Sequence, residues 1–238
     1  MNTLSDLLVS TIPQYEVTLP STGKKIKFRP FLVKEEKVLL IAQSTGNNQQ
    51  VLDAIKNIIE SCFEDLNDAS SLPLFDIEYL FLKLRSKSVG EVVSPTIICP
   101  FTNEKIELNI NLDKIEVTGE IKKDNKIKIK PKLMVKMSYP SLKTLSLNDN
   151  PDYTSPESIY ELIVNCIDQV ITEEETINTK EISRDEVSSF VDNMTKTQFG
   201  KLVDFITSIP RLKHTEKYKT SDDVEREVVL SSLSDFFG

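Results

Sequence analysis

The chain has 238 residues, 39% hydrophobic and 28% charged, which is enough for a real core in one large domain or two small ones. A net charge of −8 argues against nucleic acid as the main ligand, because phosphate binding needs a basic surface. Three cysteines without a Cys-x-x-Cys pair fit free thiols in a reducing compartment. No signal peptide and no apolar run of about 18 residues is present, so no membrane span is expected.

Residues 1–14 open with an apolar cluster, Leu4, Leu7, Leu8, Val9 and Ile12, ending at Pro13. It is too short to fold alone and reads as an arm that packs on this chain or on a neighbour. Residues 15–19 alternate, Ser21-Thr22-Gly23 turns, and residues 24–28 alternate again, which predicts a hairpin. After Pro30-Phe31 a helical run passes through residues 37–42 and stops near Gly46. Val51, Leu52, Ile55, Ile58, Ile59, Cys62 and Phe63 then repeat at helical spacing.

Residues 75–91, between Pro73 and Gly90, predict the central helix. Ile77, Leu80, Phe81 and Leu84 fall on one face, and Phe75, Tyr79 and Leu82 on the opposite one. Asp76, Lys83 and Lys87 share one strip between them, and Glu78 and Arg85 the other. Such a helix is either clamped between two layers of its own chain or gives one face to a partner.

From Val89 to about Tyr139 the period changes to two. Short strands separated by turn signals predict a small antiparallel β-subdomain, with Pro131 marking an edge or a bulge. Lys122, Lys123, Lys126, Lys128, Lys130, Lys132 and Lys136 form a comb that reads as a solvated face guarding a sheet edge. Residues 140–156 look like a linker. Ser155-Pro156 starts a helix whose buried face runs through Ile159, Leu162, Ile163, Cys166, Ile167, Val170 and Ile171. Ser183-x-x-Glu186 and Thr195-x-x-Gln198 are capping boxes for two further helices. Residues 224–237 are ambiguous between helix and strand, and the apolar Phe236-Phe237 end should dock somewhere.

The expected fold is therefore α+β, mostly helical, with an N-terminal β-hairpin and an inserted small antiparallel β-subdomain. Its parts are residues 1–88, 89–140 and 141–238.

Chemistry is sparse. His214, the single histidine, reads as a solvated loop residue, and no nucleophile-elbow, zinc-protease, P-loop or dinucleotide glycine pattern occurs. Cys62 and Cys166 lie on apolar stripes and behave as small hydrophobes. Cys99, beside a turn, is the remaining nucleophile, and an enzyme built on it would need His214 brought to it by the fold. One cysteine and a distant histidine do not make a four-ligand zinc set. No catalytic residue, metal or cofactor is expected.

Three long segments resemble the small baseplate hub and hub-assembly proteins of T-even-type contractile-tailed bacteriophages. They are Leu19-Pro20-Ser21-Thr22-Gly23-Lys24-Lys25, residues 28–37 (Phe-Arg-Pro-Phe-Leu-Val-Lys-Glu-Glu-Lys) and residues 76–91. Thr197-Gln198-Phe199, Ile209-Pro210 and Leu233-Ser234-Asp235-Phe236-Phe237 fit more loosely. In this family paired cysteines can occur in the β-region, in the manner of a zinc ribbon. Here Cys99 stands where such a pair begins, but Thr102 takes its mate's place, so no zinc is expected.

The resemblance implies a non-enzymatic part of the baseplate central hub, acting through protein–protein interfaces with other hub or tail proteins or with its own copies. It further implies assembly in the host cytoplasm and residence in the virion tail baseplate. The alternative is a chaperone that leaves before the virion is complete. Candidate contact residues are Leu4, Leu7, Leu8, Phe75, Tyr79, Leu82, Phe236 and Phe237.

Overall fold

A computed structural model describes residues 11–122, 124–145 and 155–237. Leu4, Leu7, Leu8 and Val9, Lys123, and the linker residues 146–154 lie outside them. The fold is mixed α+β. Helices take 42% and strands 27% of the described residues, so "mostly helical" is corrected to mixed α+β, with several small antiparallel sheets. By compactness the chain forms two units, Met1–Thr118 with Arg211–Gly238, and Gly119–Pro210. Strands expected to share one inserted subdomain are parted between these two units.

In the first unit β1 (Tyr15–Thr18) and β2 (Lys25–Phe28) form the hairpin, with Tyr15 opposite Phe28. Its turn closes by Leu19 N–H to Lys24 O and Gly23 N–H to Leu19 O, both 2.8 Å. Helices α1 (Val33–Ser44) and α2 (Asn48–Cys62) follow. Asn47 caps α2 by accepting the N–H groups of Gln49 and Gln50. The periodic Ile55, Ile58, Ile59 and Cys62 are buried as expected.

Helix α3 (Leu74–Ser88) starts after Pro73 and ends before Gly90, as its flanking residues predict. It serves two hydrophobic clusters. Ile77, Leu80, Phe81 and Leu84 join the hairpin and α2, whereas Leu82 joins a cluster under the short strands. The helix is thus clamped between layers of its own chain. Its polar strip clamps as well. Asp76, placed by the periodicity on a charged strip, is fully buried and accepts Ser21 N–H (3.0 Å) and the Ser21 hydroxyl. The Lys83 ammonium donates to the carbonyls of Leu112 (3.2 Å), Asp113 (2.8 Å) and Ile115 (3.2 Å). Those contacts give donors to carbonyls at the end of a short 3-10 turn, where Leu112 O also accepts the Ile115 N–H (3.3 Å).

Strands β3 (Val92–Val93) and β6 (Ile110–Asn111) pair, as do β4 (Thr96–Ile98) and β5 (Lys105–Glu107). Strand β7 (Glu116–Thr118) pairs with β12 (Arg211–Lys219), which carries β13 (Glu225–Leu230) on its other side. The ambiguous tail is therefore both things: a strand to Leu230, then helix α8 (Leu233–Phe237).

The second unit is a four-stranded antiparallel sheet in the order β11-β10-β9-β8, comprising β8 (Lys126–Lys130), β9 (Leu133–Met137), β10 (Ile167–Thr172) and β11 (Thr176–Asn178). Lys126, Lys128 and Lys130 point outward from β8, the edge strand, and the register shifts between Lys128 and Lys130, next to Pro131. A short helix α4 (Leu142–Leu145) precedes α5 (Pro156–Cys166), α6 (Arg184–Asp192) and α7 (Lys196–Thr207).

One periodicity is corrected here: the helix begun at Pro156 ends at Cys166, and Ile167, Val170 and Ile171 belong to β10. A short apolar run reads equally well as buried helix or buried strand, and β-branched residues pairing with β9 decide for the strand. The Thr195 box is complete, with its hydroxyl accepting Gln198 N–H (3.3 Å) and Gln198 Oε1 accepting Thr195 N–H (2.8 Å).

Candidate functional site

Among the described residues, the first unit leaves large apolar side chains of one helix exposed. Helix α1 starts where Glu35 turns back to accept the Leu32 N–H (2.8 Å), while its other oxygen accepts from Arg29 (2.9 Å). Burial pushes the Glu35 carboxyl up, but the Arg29 guanidinium and the Leu32 N–H outweigh it, and the net shift is downward. With Glu35 and Ala42 turned inward, the opposite side of the helix faces water. Val33 (79% exposed), Leu40 (58%) and Ile41 (55%) lie there together. Leaving such side chains in water forgoes about 1.5–3 kcal/mol each relative to full burial.

Leu40 also borders a groove of about 440 Å³, whose walls include Phe31, Leu39, Arg85, Val92 and Phe237. Helix α8 forms part of that wall. Asp235 caps it by accepting the N–H groups of Ser231 (2.8 Å) and Ser232 (2.9 Å). Phe236 is buried, and Phe237 meets Phe81 edge-on with centroids 6.0 Å apart, under the Arg85 guanidinium at 5.7 Å. Burial pulls the Arg85 pKa down, and nearby Glu36 partly opposes this. Glu78, on the same strip of α3, has its carboxyl pushed up to about 7, first by burial and then by repulsion from Asp235.

The candidate contact residues separate. Phe75, Leu82 and Phe236 are buried within this chain, Tyr79 and Phe237 are half-buried, and Leu4, Leu7 and Leu8 lie outside the described residues. The second face of α3 is core because two layers, not one, pack on that helix. The terminal phenylalanines dock as expected. The exposed apolar side chains of helix α1 were not singled out, although Val38-Leu39-Leu40-Ile41-Ala42 carried the signal. Five consecutive apolar residues put more hydrophobic surface on a helix than one face can bury.

Cys99 has no exposed surface. Its turn closes by Asn103 N–H to Cys99 O (2.9 Å), with Asn103 in the left-handed region at φ 57°. Burial pushes the thiol up, but donors around it win. The Thr102 hydroxyl, the N–H groups of Phe101 and Thr102, and the Tyr218 hydroxyl (3.6 Å) bring it down to about 7. Thr102 Oγ1 is itself buried without a well-formed hydrogen bond. Thr102 and Tyr218 thus bring hydroxyls to the sulfur where structural zinc takes thiolates or imidazoles.

His214 is corrected from solvated loop to strand. It lies half-buried in β12, with Nε2 2.8 Å from Glu216 Oε2. It stands four residues along the strand from Tyr218, about 13 Å away, so the strand does not bring it to the thiol. Among the described residues no group of three or more His, Cys, Asp or Glu is arranged to hold a metal ion. No described helix is long and apolar enough to cross a membrane.

Comparison with known proteins adds one finding. A family model described as T4 bacteriophage base plate protein matches residues 12–238. No curated protein and no solved structure matches the chain.

Proposed function

The chain belongs to the T4 bacteriophage base plate protein family, and from that premise we propose that it is a subunit of the baseplate's central hub. Membership makes it a structural component of the phage tail baseplate, working among other baseplate components. The finer reading is that it assembles in the host cytoplasm, stays in the hub and catalyses no reaction. The observation that carries the contact mode is the uncovered stripe Val33, Leu40 and Ile41 beside the groove. Tyr79, Phe237 and the N-terminal Leu4, Leu7 and Leu8 are the further contact residues of this reading.

Quantitative mass spectrometry of purified mature tails, beside lysate of infected cells, tests it. A fixed small copy number in tails is expected. Presence in lysate alone would replace the hub subunit by a departing assembly chaperone. At residue level, Leu40→Asp should leave stability within about 0.5 kcal/mol, as for an exposed site, yet lower incorporation into tails. Undiminished incorporation would remove α1 from the interface.

A further inference from the structure

The sheet of the second unit carries a cationic strip on one face. Ile127, Ile129, Val135 and Val170 turn toward the helices and join the core cluster. Side chains alternate along a strand, so Lys126, Lys128 and Lys130 of β8 fall on the opposite face, where all three are exposed. Successive lysines stand about 6.6 Å apart, and the strip is about 13 Å long.

The chain's own carboxylates neutralise only the ends of this strip. Lys126 stands directly opposite Lys136, an arrangement that is repulsive without counter-charges. Asp124 supplies one at 3.3 Å from Lys126, and Asp168 the other at 3.1 Å from Lys136. Beyond the other end Lys132 pairs with Glu173 at 2.6 Å. Among the described residues no carboxylate lies within ion-pair distance of Lys128 or Lys130. The backbone edge of β8 is engaged differently. The Lys201 ammonium, from α7, donates to the carbonyls of Lys128 (2.7 Å) and Ile129 (3.4 Å), so an added strand finds those acceptors taken. What stays open is the face: two unpaired ammonium groups, with Met134 (37% exposed) directly across from Lys128.

We propose that this face binds a short, extended, acidic segment of another protein, whose carboxylates on alternate residues pair with Lys128 and Lys130. Alternate side chains of an extended chain repeat about every 6.6 Å, which is the spacing of the lysines themselves. Met134 offers the same segment an apolar contact beside the first ion pair. Nucleic acid fits the face less well. The four strands of this sheet contain no aromatic residue on which a base could stack. Asp124 and Glu173 bound the strip at its two ends, and the whole chain carries −8, so a long polyanion is repelled beyond a few residues. The proposal does not rest on the hub reading.

The test is fluorescence anisotropy of a labelled peptide of alternating Glu and Thr, about ten residues or ~33 Å long when extended, titrated with the full chain. Saturable binding at low salt is expected, weakening as salt rises. Lys128→Glu with Lys130→Glu should weaken it about tenfold or more, and Lys128→Gln with Lys130→Gln by a smaller factor. Lys24→Glu with Lys27→Glu, at exposed positions of the hairpin in the first unit, should change it less than about twofold. All these side chains are exposed, and an unshifted chemical-denaturation midpoint confirms that each variant folds. No saturable binding, or equal loss in the two charge reversals, would overturn the proposal. Equal affinity for a peptide of the same composition with its Glu residues in one block would overturn it as well. A single-stranded oligonucleotide that binds more tightly than the alternating peptide would assign the face to nucleic acid instead. None of these readouts involves tails, so failure here is distinct from failure of the hub reading.

Discussion

The two units treat their surfaces differently. Among the described residues, every exposed large hydrophobic side chain but Met134 belongs to the first unit: Val33, Val38, Leu40, Ile41, Val89, Val92, Ile98, Phe101, Val224 and Val229. That unit is assembled from two- and three-stranded ribbons clamped onto one helix. The second unit has one continuous sheet, three well-started helices and an edge strand armed with lysines. Short ribbons bury too little surface to stand alone and lean on α3 from both sides. A four-stranded sheet covered by helices satisfies itself, and its edge lysines discourage pairing with other chains. Exposed apolar surface therefore concentrates in the unit whose elements are least self-sufficient.

The largest expected effect breaks this contrast at α3. Leu80→Ala, at a fully buried position, should cost about 2–5 kcal/mol. Hydrogen exchange read by mass spectrometry should show the loss in the first unit, with protection in β9 and β10 retained. Equal loss in both would make them one cooperative body.

The next effect concerns the junction of β7 and β12, where Thr118 pairs with Arg211. Gly119 follows at φ +118°, and a Cβ there would meet Pro210 Cα at 3.0 Å. Gly119→Val should cost about 1–3 kcal/mol in chemical denaturation, because a side chain at that φ is strained.

A pH series sharpens the picture of α8. Because the Glu78 carboxyl is raised to about 7 in the folded chain, its protonated form favours folding. That contribution is complete below the ordinary glutamate range and is lost as pH rises through about 7. Glu78→Gln should flatten stability between pH 4.5 and 7 and raise it at pH 8, with chemical denaturation at each pH as the measurement. An unaltered pH profile would contradict the environment assigned to this carboxyl.

The smallest folded-state effect is expected at the lysine comb. Lys128→Val should change stability by no more than about 0.5 kcal/mol, yet promote concentration-dependent association by light scattering. An unchanged scattering profile would show that β8 needs no charge to stay unpaired.

Much was legible in residue pattern alone. The hairpin, the span of α3, the caps at Ser155, Ser183 and Thr195, and the edge character of β8 all depend on neighbours within a few positions. The resemblance carried by three segments likewise led to the family that residues 12–238 match. Tertiary structure decided what local pattern leaves open. Ile167–Thr172 became strand because β9 stood ready to pair with it, and Asp76 was buried because the hairpin turn supplied its partners. His214 entered a sheet by pairing with Leu230 of β13, the next strand of the chain. The same holds for the two apolar faces. Periodicity identifies a surface that wants cover, but only distant packing determines that α3 finds it on both sides and that the outer side of α1, among the described residues, does not.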